Sequence, residues 1–536
     1  MSPLLFLILL PLFAIAFIMV GAPARFTSLL ATGLNFVLSL FLFLHYDRVL
    51  AGWQYLQESH LIPQLGLNFT LGADGLSLTM LLLTTLVSFT AVWTTPKIER
   101  SPVLFYSCLL FISAALTGAF SSLDTFFLYG FHELALIPVF IMIGIWGSGD
   151  RQAAAWKATL YLGAGSFIVL LGIVALYLAA PSGLRSFDFR VMTELSQKDI
   201  SHPSSWIYLL LLFGFGTLVS LFPFHSWAPS TYSSAPAPTA MLHAGVLKKF
   251  GLYGLIRLGL PIFPTAVEKF STLLLVLLVC NILYIGYVTI AQRQLDWTIA
   301  YSSVMHMGTI FLGLVAFNIL SLSGAALLMF GHGLSIAALF ALCGALRRRT
   351  KTLDYQQLGG LAQLFPRASL LFGFATMASI GLPGFTNFAG EILIFFGATA
   401  TVIIDHGSLG FMIATIAAIW GVVISAIYML RAYRSVFFGP CTFSQNSTAT
   451  ANCGITPALV SSSTSCALRD SVPEAPNTSS AATSFERRSL LSQECWTTLK
   501  DLSLFESAPV ALLILALLIT GIFPQFILNL VTTAFR

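Results

Sequence analysis

Glu133, Lys248, Lys249 and Glu391, together with His243, His306 and His332, fall inside long runs of apolar residues, most of them near the middle of a run. A charge at such a depth in a bilayer is costly, so residues of this kind pair with one another, face a wet interior and handle protons or ions. Removal from water disfavours the charged form of a lysine and of a glutamate alike, which brings their proton affinities together and makes exchange feasible. One intramembrane histidine is as readily a satisfied packing residue as a functional one. The combination of Glu133, Lys249, His306, His332 and Glu391 is not accounted for by packing alone. Lys248 and Lys249 are neighbours, so on a helix they point about 100° apart and at most one is expected to face a central axis well.

The elements that must hold these residues are membrane-spanning helices. Of 536 residues, 57% are hydrophobic and only 9% are charged, against roughly a quarter charged in soluble domains. Unbroken apolar runs such as 4–20 and 167–180 argue against a β-barrel, whose strands need only about 10 alternating residues. The first run lacks a basic flank and nearly spans a bilayer, so it reads as a first span rather than a signal peptide. Segments of spanning length lie near 3–21, 27–45, 73–95, 102–120, 122–146, 157–180, 206–228, 238–262, 270–291, 297–317, 321–346, 368–400, 408–436 and 507–531. The expected fold is therefore an all-α polytopic bundle of about fourteen spans.

Charge alternates between the connections. One set carries Arg25, Lys97, Arg100, Arg151, Lys157, Arg293, the cluster Arg347, Arg348, Arg349, Lys351 and Arg367, then Arg431 and Arg434; the other offers mainly Arg48, Arg185, Arg190, Lys198 and Lys269. The positive-inside rule places the first set in the cytoplasm or its organellar equivalent and both termini on the opposite side. The net charge of +5 is small for this length, and nothing points to nucleic acid. The 7 cysteines contain no C-x-x-C pair, so no metal or iron–sulfur site is indicated and any redox centre is expected in another polypeptide. Residues 440–506, rich in Ser, Thr and Ala, read as a disordered loop on the positive side.

Two spans are interrupted. The seventh runs through Pro223 and Pro229 towards Pro236 and Pro238, and the twelfth contains Gly381, Pro383 and Gly384. Proline removes a backbone donor and clashes with the preceding turn, so each helix must open. Such a break is tolerated at membrane depth only where protein or a wet cavity satisfies the backbone. The breaks lie five spans apart, as expected for two inverted five-helix repeats, spans 4–8 and 9–13, with an ion path at the broken helices. The expected division is 1–101 for the first three spans, 102–262 and 263–439 for the repeats, 440–506 for the loop and 507–536 for the last span.

Several motifs in order carry a family resemblance: Gly72-Ala-Asp-Gly-Leu-Ser-Leu-Thr-Met80, Phe131-His-Glu-Leu-Ala-Leu-Ile-Pro138, Pro223-Phe-His-Ser-Trp227, Ala244-Gly-Val-Leu-Lys-Lys-Phe-Gly-Leu-Tyr-Gly254, Ile299-Ala-Tyr-Ser-Ser-Val-Met-His-Met-Gly308, Gly331-His-Gly-Leu-Ser335 and Asn387-Phe-Ala-Gly-Glu391. From about residue 70 to 436, and again in the last span, the chain resembles the antiporter-like membrane subunits of complex I, most of all chain M, or chain 4, of bacterial and plastid NADH:quinone oxidoreductases. The resemblance implies proton translocation by Glu133, Lys249, His306, His332 and Glu391, and His243 resembles a histidine of sister chains; His132, His225 and Lys248 are further polar-axis candidates by their position in this sequence. It implies no catalytic, cofactor or metal residue in this chain. NADH, FMN, iron–sulfur clusters and quinone are expected in partner subunits, and the partners are other membrane-arm subunits, the lipid bilayer and protons. The expected location is a bacterial inner membrane or a plastid-type energy-transducing membrane. A subunit of a multisubunit cation/proton antiporter and a non-pumping spacer of the membrane arm are the alternatives. Asp74 matches the family's Ala-Asp-Gly motif and could instead simply cap a helix.

One departure stands out. The family's span-five glutamate pairs with a lysine that lies seven residues before the histidine of Pro-x-His-x-Trp, and here that position is Leu218. Ser230 and Tyr232 likewise replace an aspartate and a histidine. Glu133 is thus expected to lack its cation unless His132 or His225 stands in.

Overall fold

Backbone amides have no water to bond in hydrocarbon, so apolar runs of this length can only become helices that satisfy themselves. The computed structural model describes residues 2–50, 52–404, 409–439 and 500–535; the expected loop lies outside the described residues over 440–499. Among the described residues, 11 helices are long and apolar enough to cross a membrane. Three further expected spans take other forms. Pro3–Met19 is a helix of 17 residues, the seventh span is divided into Ser205–Val219 and Trp227–Ser234, and the eighth is irregular. That eighth span alternates α-helical turns with two π-helical stretches, His243–Leu247 and Leu255–Gly259.

Two boundaries differ from the sequence expectation. The last span runs Leu504–Ile522, with a short separate helix Gln525–Val531 after it. It starts inside the expected loop because Ser503 and Glu506 cap its first turn reciprocally. The chain is also not wholly helical: Gln54–Ile62 and Leu67–Ala73 pair as an antiparallel hairpin turned at Gly66, whose φ is 62°. A side chain at Gly66 would strike the Arg185 carbonyl, so the turn also needs a residue without Cβ.

The centre of the bundle is the helix Ile319–Thr350, buried over 100% of its most apolar window, flanked by Gly75–Thr94 and Leu295–Val315 at 94%; Leu504–Ile522, at 28%, lies at the periphery. The two ends differ. Ser2 bonds to Gln57 and to the Tyr55 carbonyl of the hairpin, and Leu530 packs on Gly75, so both termini sit with the hairpin at one end. Arg347, Arg349 and Arg367 gather at the other, where Arg349 pairs with Glu506 at 2.9 Å and Arg367 donates to the Leu502 carbonyl.

The two broken spans open in the same way. Ser205–Val219 stops at Ser220, φ 70°, and Pro366–Ile380 stops at Gly381, φ 82°. In each, the following amide reaches back five residues, Leu221 N to Gly216 O at 2.7 Å and Leu382 N to Met377 O at 3.1 Å. These left-handed stops satisfy the last carbonyls of each half-helix. The helix resumes at Trp227 in one case and at Thr386 in the other.

Candidate functional site

The central helix places His332 between two glycines, and each glycine permits a close approach. A Cβ on Gly333 would stand 2.8 Å from the Gly245 carbonyl, and one on Gly331 would collide with Asn387. The irregular eighth span and the second half of the broken twelfth therefore both press against the backbone on either side of His332. Gly381 has the same function for Glu391, whose carboxylate occupies the space a Cβ would need.

The result is a buried line of titratable groups. Lys249 Nζ donates to the Ala244 carbonyl at 2.6 Å and to His332 Nδ1 at 3.0 Å. The His332 and His306 rings are 5.5 Å apart between centroids. His306 Nδ1 lies 3.9 Å from Glu391 Oε1, and the Tyr428 hydroxyl lies 3.5 Å from His306 Nε2. All five side chains are buried. The direct Lys249–His332 contact is short enough for proton transfer, and the wider steps are of a size that one water can bridge.

Both neighbouring lysines are buried, but only Lys249 contacts the line through His332, and Lys248 points elsewhere. The π-helical stretch before them bonds Lys248 N to His243 O, five residues back, which changes the angular phase set by an ordinary helix. Lys248 Nζ consequently finds the Ser303 carbonyl at 3.0 Å and the Ser303 hydroxyl at 3.4 Å, and stands 5.7 Å from the Tyr232 ring.

The first half of the chain is organised differently. His132 is buried and stacks on Phe250 at 4.1 Å. Glu133, the next residue, is half-buried: its side chain is 32% exposed while Oε1 is buried. It lines an apolar groove of about 610 Å³ walled by Phe127, Phe131, Ile137, Ala158 and Leu162. His132 Nδ1 comes within 3.5 Å of Glu133 Oε1, yet neither atom has a hydrogen-bond partner. Leu218 is buried in the core, so Glu133 has no cation at ion-pair distance among the described residues other than a protonated His132. His225 stacks with Phe222 and Tyr284, and His243 lies between Trp227 and Tyr232; neither joins the line from Lys249 to Glu391.

Sequence reasoning passed over three contributors. Tyr428 has no motif around it. Asn281 accepts from Phe222 N at 2.6 Å and donates to the Val304 carbonyl at 3.1 Å, bracing the seventh-span break. Arg257 forms a buried ion pair with Asp74, whose carboxylate also caps Gly75–Thr94 through Ser77 N. The guanidinium stacks over Trp53, just before the hairpin, at 4.7 Å and Tyr253 at 4.9 Å. Asp74 is thus both the cap that sequence suggested and the counter-ion of a π-helical turn.

Comparison with known proteins identifies the family. The family described as NADH:quinone oxidoreductase/Mrp antiporter, TM matches residues 122–417. A NAD(P)H-quinone oxidoreductase chain 4 of Synechococcus elongatus is 40% identical over 425 residues, 78% of this chain and 78% of its own length. Chain 4-2 of Synechocystis is 38% identical over 443 residues, 81% and 78% of the two chains. A chain of respiratory complex I from Thermus thermophilus with bound NADH superimposes with a TM-score of 0.80 at 26% identity, over 99% of this chain and 98% of that one. A chain of the Mrp complex from Dietzia shares the fold, with a TM-score of 0.78 at 19% identity over 100% and 96%. This chain belongs to the antiporter-like membrane subunits of that family, and within them to the chain 4 group of the NAD(P)H-quinone oxidoreductases.

Proposed function

We propose that the chain is a proton-translocating subunit in the membrane arm of a complex I type NAD(P)H:quinone oxidoreductase, coupling quinone reduction in other subunits to proton movement. The observation that carries this reading is the buried succession of neighbouring titratable groups Lys249, His332, His306 and Glu391. Packing a lysine, two histidines and a glutamate together in a membrane interior has a high electrostatic cost, and proton exchange along the line accounts for it. The lysine ammonium gives a proton to His332 Nδ1, and His306 sits between that histidine and the Glu391 carboxylate. NADH or NADPH, FMN, iron–sulfur clusters and quinone belong to partner subunits, and this chain carries no redox centre. The Arg347 end faces the cytoplasm or stroma, both termini face the opposite compartment, and residues 102–262 and 263–439 form the inverted repeats.

The test is Lys249→Met and Glu391→Gln in the intact complex, read as the ratio of protons moved to quinone reduced in sealed vesicles. A large fall with assembly preserved is expected. An assembled Lys249→Met complex with an unchanged ratio overturns the reading in favour of a structural spacer. Migration only with small membrane chains on a native gel, without flavin and iron–sulfur subunits, would instead favour a multisubunit antiporter.

A further inference from the structure

Lys248 is fully buried beside Lys249, and among the described residues no carboxylate stands at ion-pair distance from it. A buried cation without a counter-ion is destabilising, and the eighth span would carry an apolar residue at this point at lower cost. The amine instead leads in two directions. On one side it contacts the Ser303 hydroxyl, and Ser303 precedes His306 by three positions on one helix, so the two side chains share a face. On the other side it faces the Tyr232 ring. Tyr232 lines a cavity of about 400 Å³ that is also bordered by Ser148, Asp296, Cys343 and Arg347, at the basic end of the bundle. The Tyr232 hydroxyl is buried without a hydrogen-bond partner.

We infer that Lys248 is a second proton-binding group, joining the cavity at the Arg347 end to His306 through the Ser303 hydroxyl. The inference rests on the proton-conducting reading of the axis and adds an entrance to it. Lys249 contacts His332, whose ring neighbours that of His306, while Lys248 contacts Ser303, one turn before His306 on the same helix. In the transfer, hydronium passes from the cavity beyond Tyr232, which separates the two, and the free amine of Lys248 takes its proton, so an N–H bond forms as an O–H bond breaks. The Ser303 hydroxyl then accepts that proton while passing its own to His306, and Lys248 returns to the amine. The other titratable groups around Lys248 are Lys249, His225, His243, His306, His332 and Tyr232. Its adjacent positive neighbour disfavours simultaneous protonation of both lysines, so the two entrances alternate rather than add. Leu218 leaves the seventh span without a cation at the position where the family resemblance places one, and Lys248 puts a cation beside that span instead.

The test uses the whole complex in inverted vesicles supplied with NADH or NADPH, reading proton uptake with a pH-sensitive dye alongside quinone reduction and native-gel assembly. Lys248→Met removes the proton-binding group and Lys248→Arg keeps a charge that does not release its proton. Both variants should assemble and lose proton uptake several-fold. Full uptake in an assembled Lys248→Met complex overturns the inference, and so does full uptake in Lys248→Arg, which would mean that only a positive charge is required. Should Lys248→Met fail to accumulate, the Lys248→Arg complex decides by the same criterion. Lys249→Met serves as the control: if it too leaves uptake unchanged, the proton-conducting reading itself fails, whereas loss there with no loss at Lys248 removes the second entrance alone.

Discussion

Gly245 and Gly333 meet backbone to backbone, with the carbonyl of each where a Cβ on the other would have to stand, at 3.1 Å and 2.8 Å. The contact sets the distance between the eighth span and the central helix, and so the 3.0 Å bond between Lys249 and His332. Gly333→Ala should push the two apart at a cost of about 1–3 kcal/mol, the usual penalty for overfilling a packed interior. Proton uptake should fall while the complex still assembles. Unchanged uptake in an assembled Gly333→Ala complex would show that this spacing is not needed.

Glu133 should tolerate neutralisation. It is half-buried beside an apolar groove, and among the described residues its neighbouring cation candidate is His132. Glu133→Gln is expected to leave proton uptake close to that of the unmodified complex, whereas Leu218→Lys should make uptake sensitive to changes at Glu133. A severe loss in Glu133→Gln would place Glu133 on the path and call for a cation from a neighbouring subunit across the apolar groove.

The Asp74–Arg257 pair should behave as a buried pair does. Removing one partner strands the other charge, which costs about 3–5 kcal/mol. Arg257→Met alone should therefore lower the thermal midpoint or the accumulation of the complex sharply. The double change Asp74→Leu with Arg257→Met should recover most of that loss. A single variant as stable as the unmodified chain would mean that the pair is solvated rather than buried.

The orientation can be read by thiol labelling in a background without native cysteines. Glu58→Cys, exposed on the hairpin, and Lys500→Cys, exposed at the arginine-rich end, lie at opposite ends of the bundle. An impermeant reagent applied to sealed right-side-out membranes should modify Glu58→Cys and spare Lys500→Cys, with the reverse in inverted vesicles. The opposite pattern would invert the assignment drawn from the charge bias.

Hydropathy and ionisable residues alone determined that this chain is a membrane bundle, that spans seven and twelve break, and that Glu133, Lys249, His306, His332 and Glu391 are the residues to watch. Each of these follows from composition along the chain: a run of apolar residues must be helical in lipid, a proline must open it, and a charge there needs a reason. The family motifs add the order in which they occur. The tertiary structure decided which way each residue faces. Helices that are apolar all round carry no stripe to reveal their inner side, so nothing in the pattern separates His132, which is buried, from Glu133, which is partly exposed. The π-helical turn before Lys248 and Lys249 leaves no mark in hydropathy either, because it shifts the angular phase of the residues after it without changing composition. The pairing of Asp74 with Arg257 joins residues 183 positions apart in the chain, and only the packing of the hairpin, the third span and the eighth brings them together.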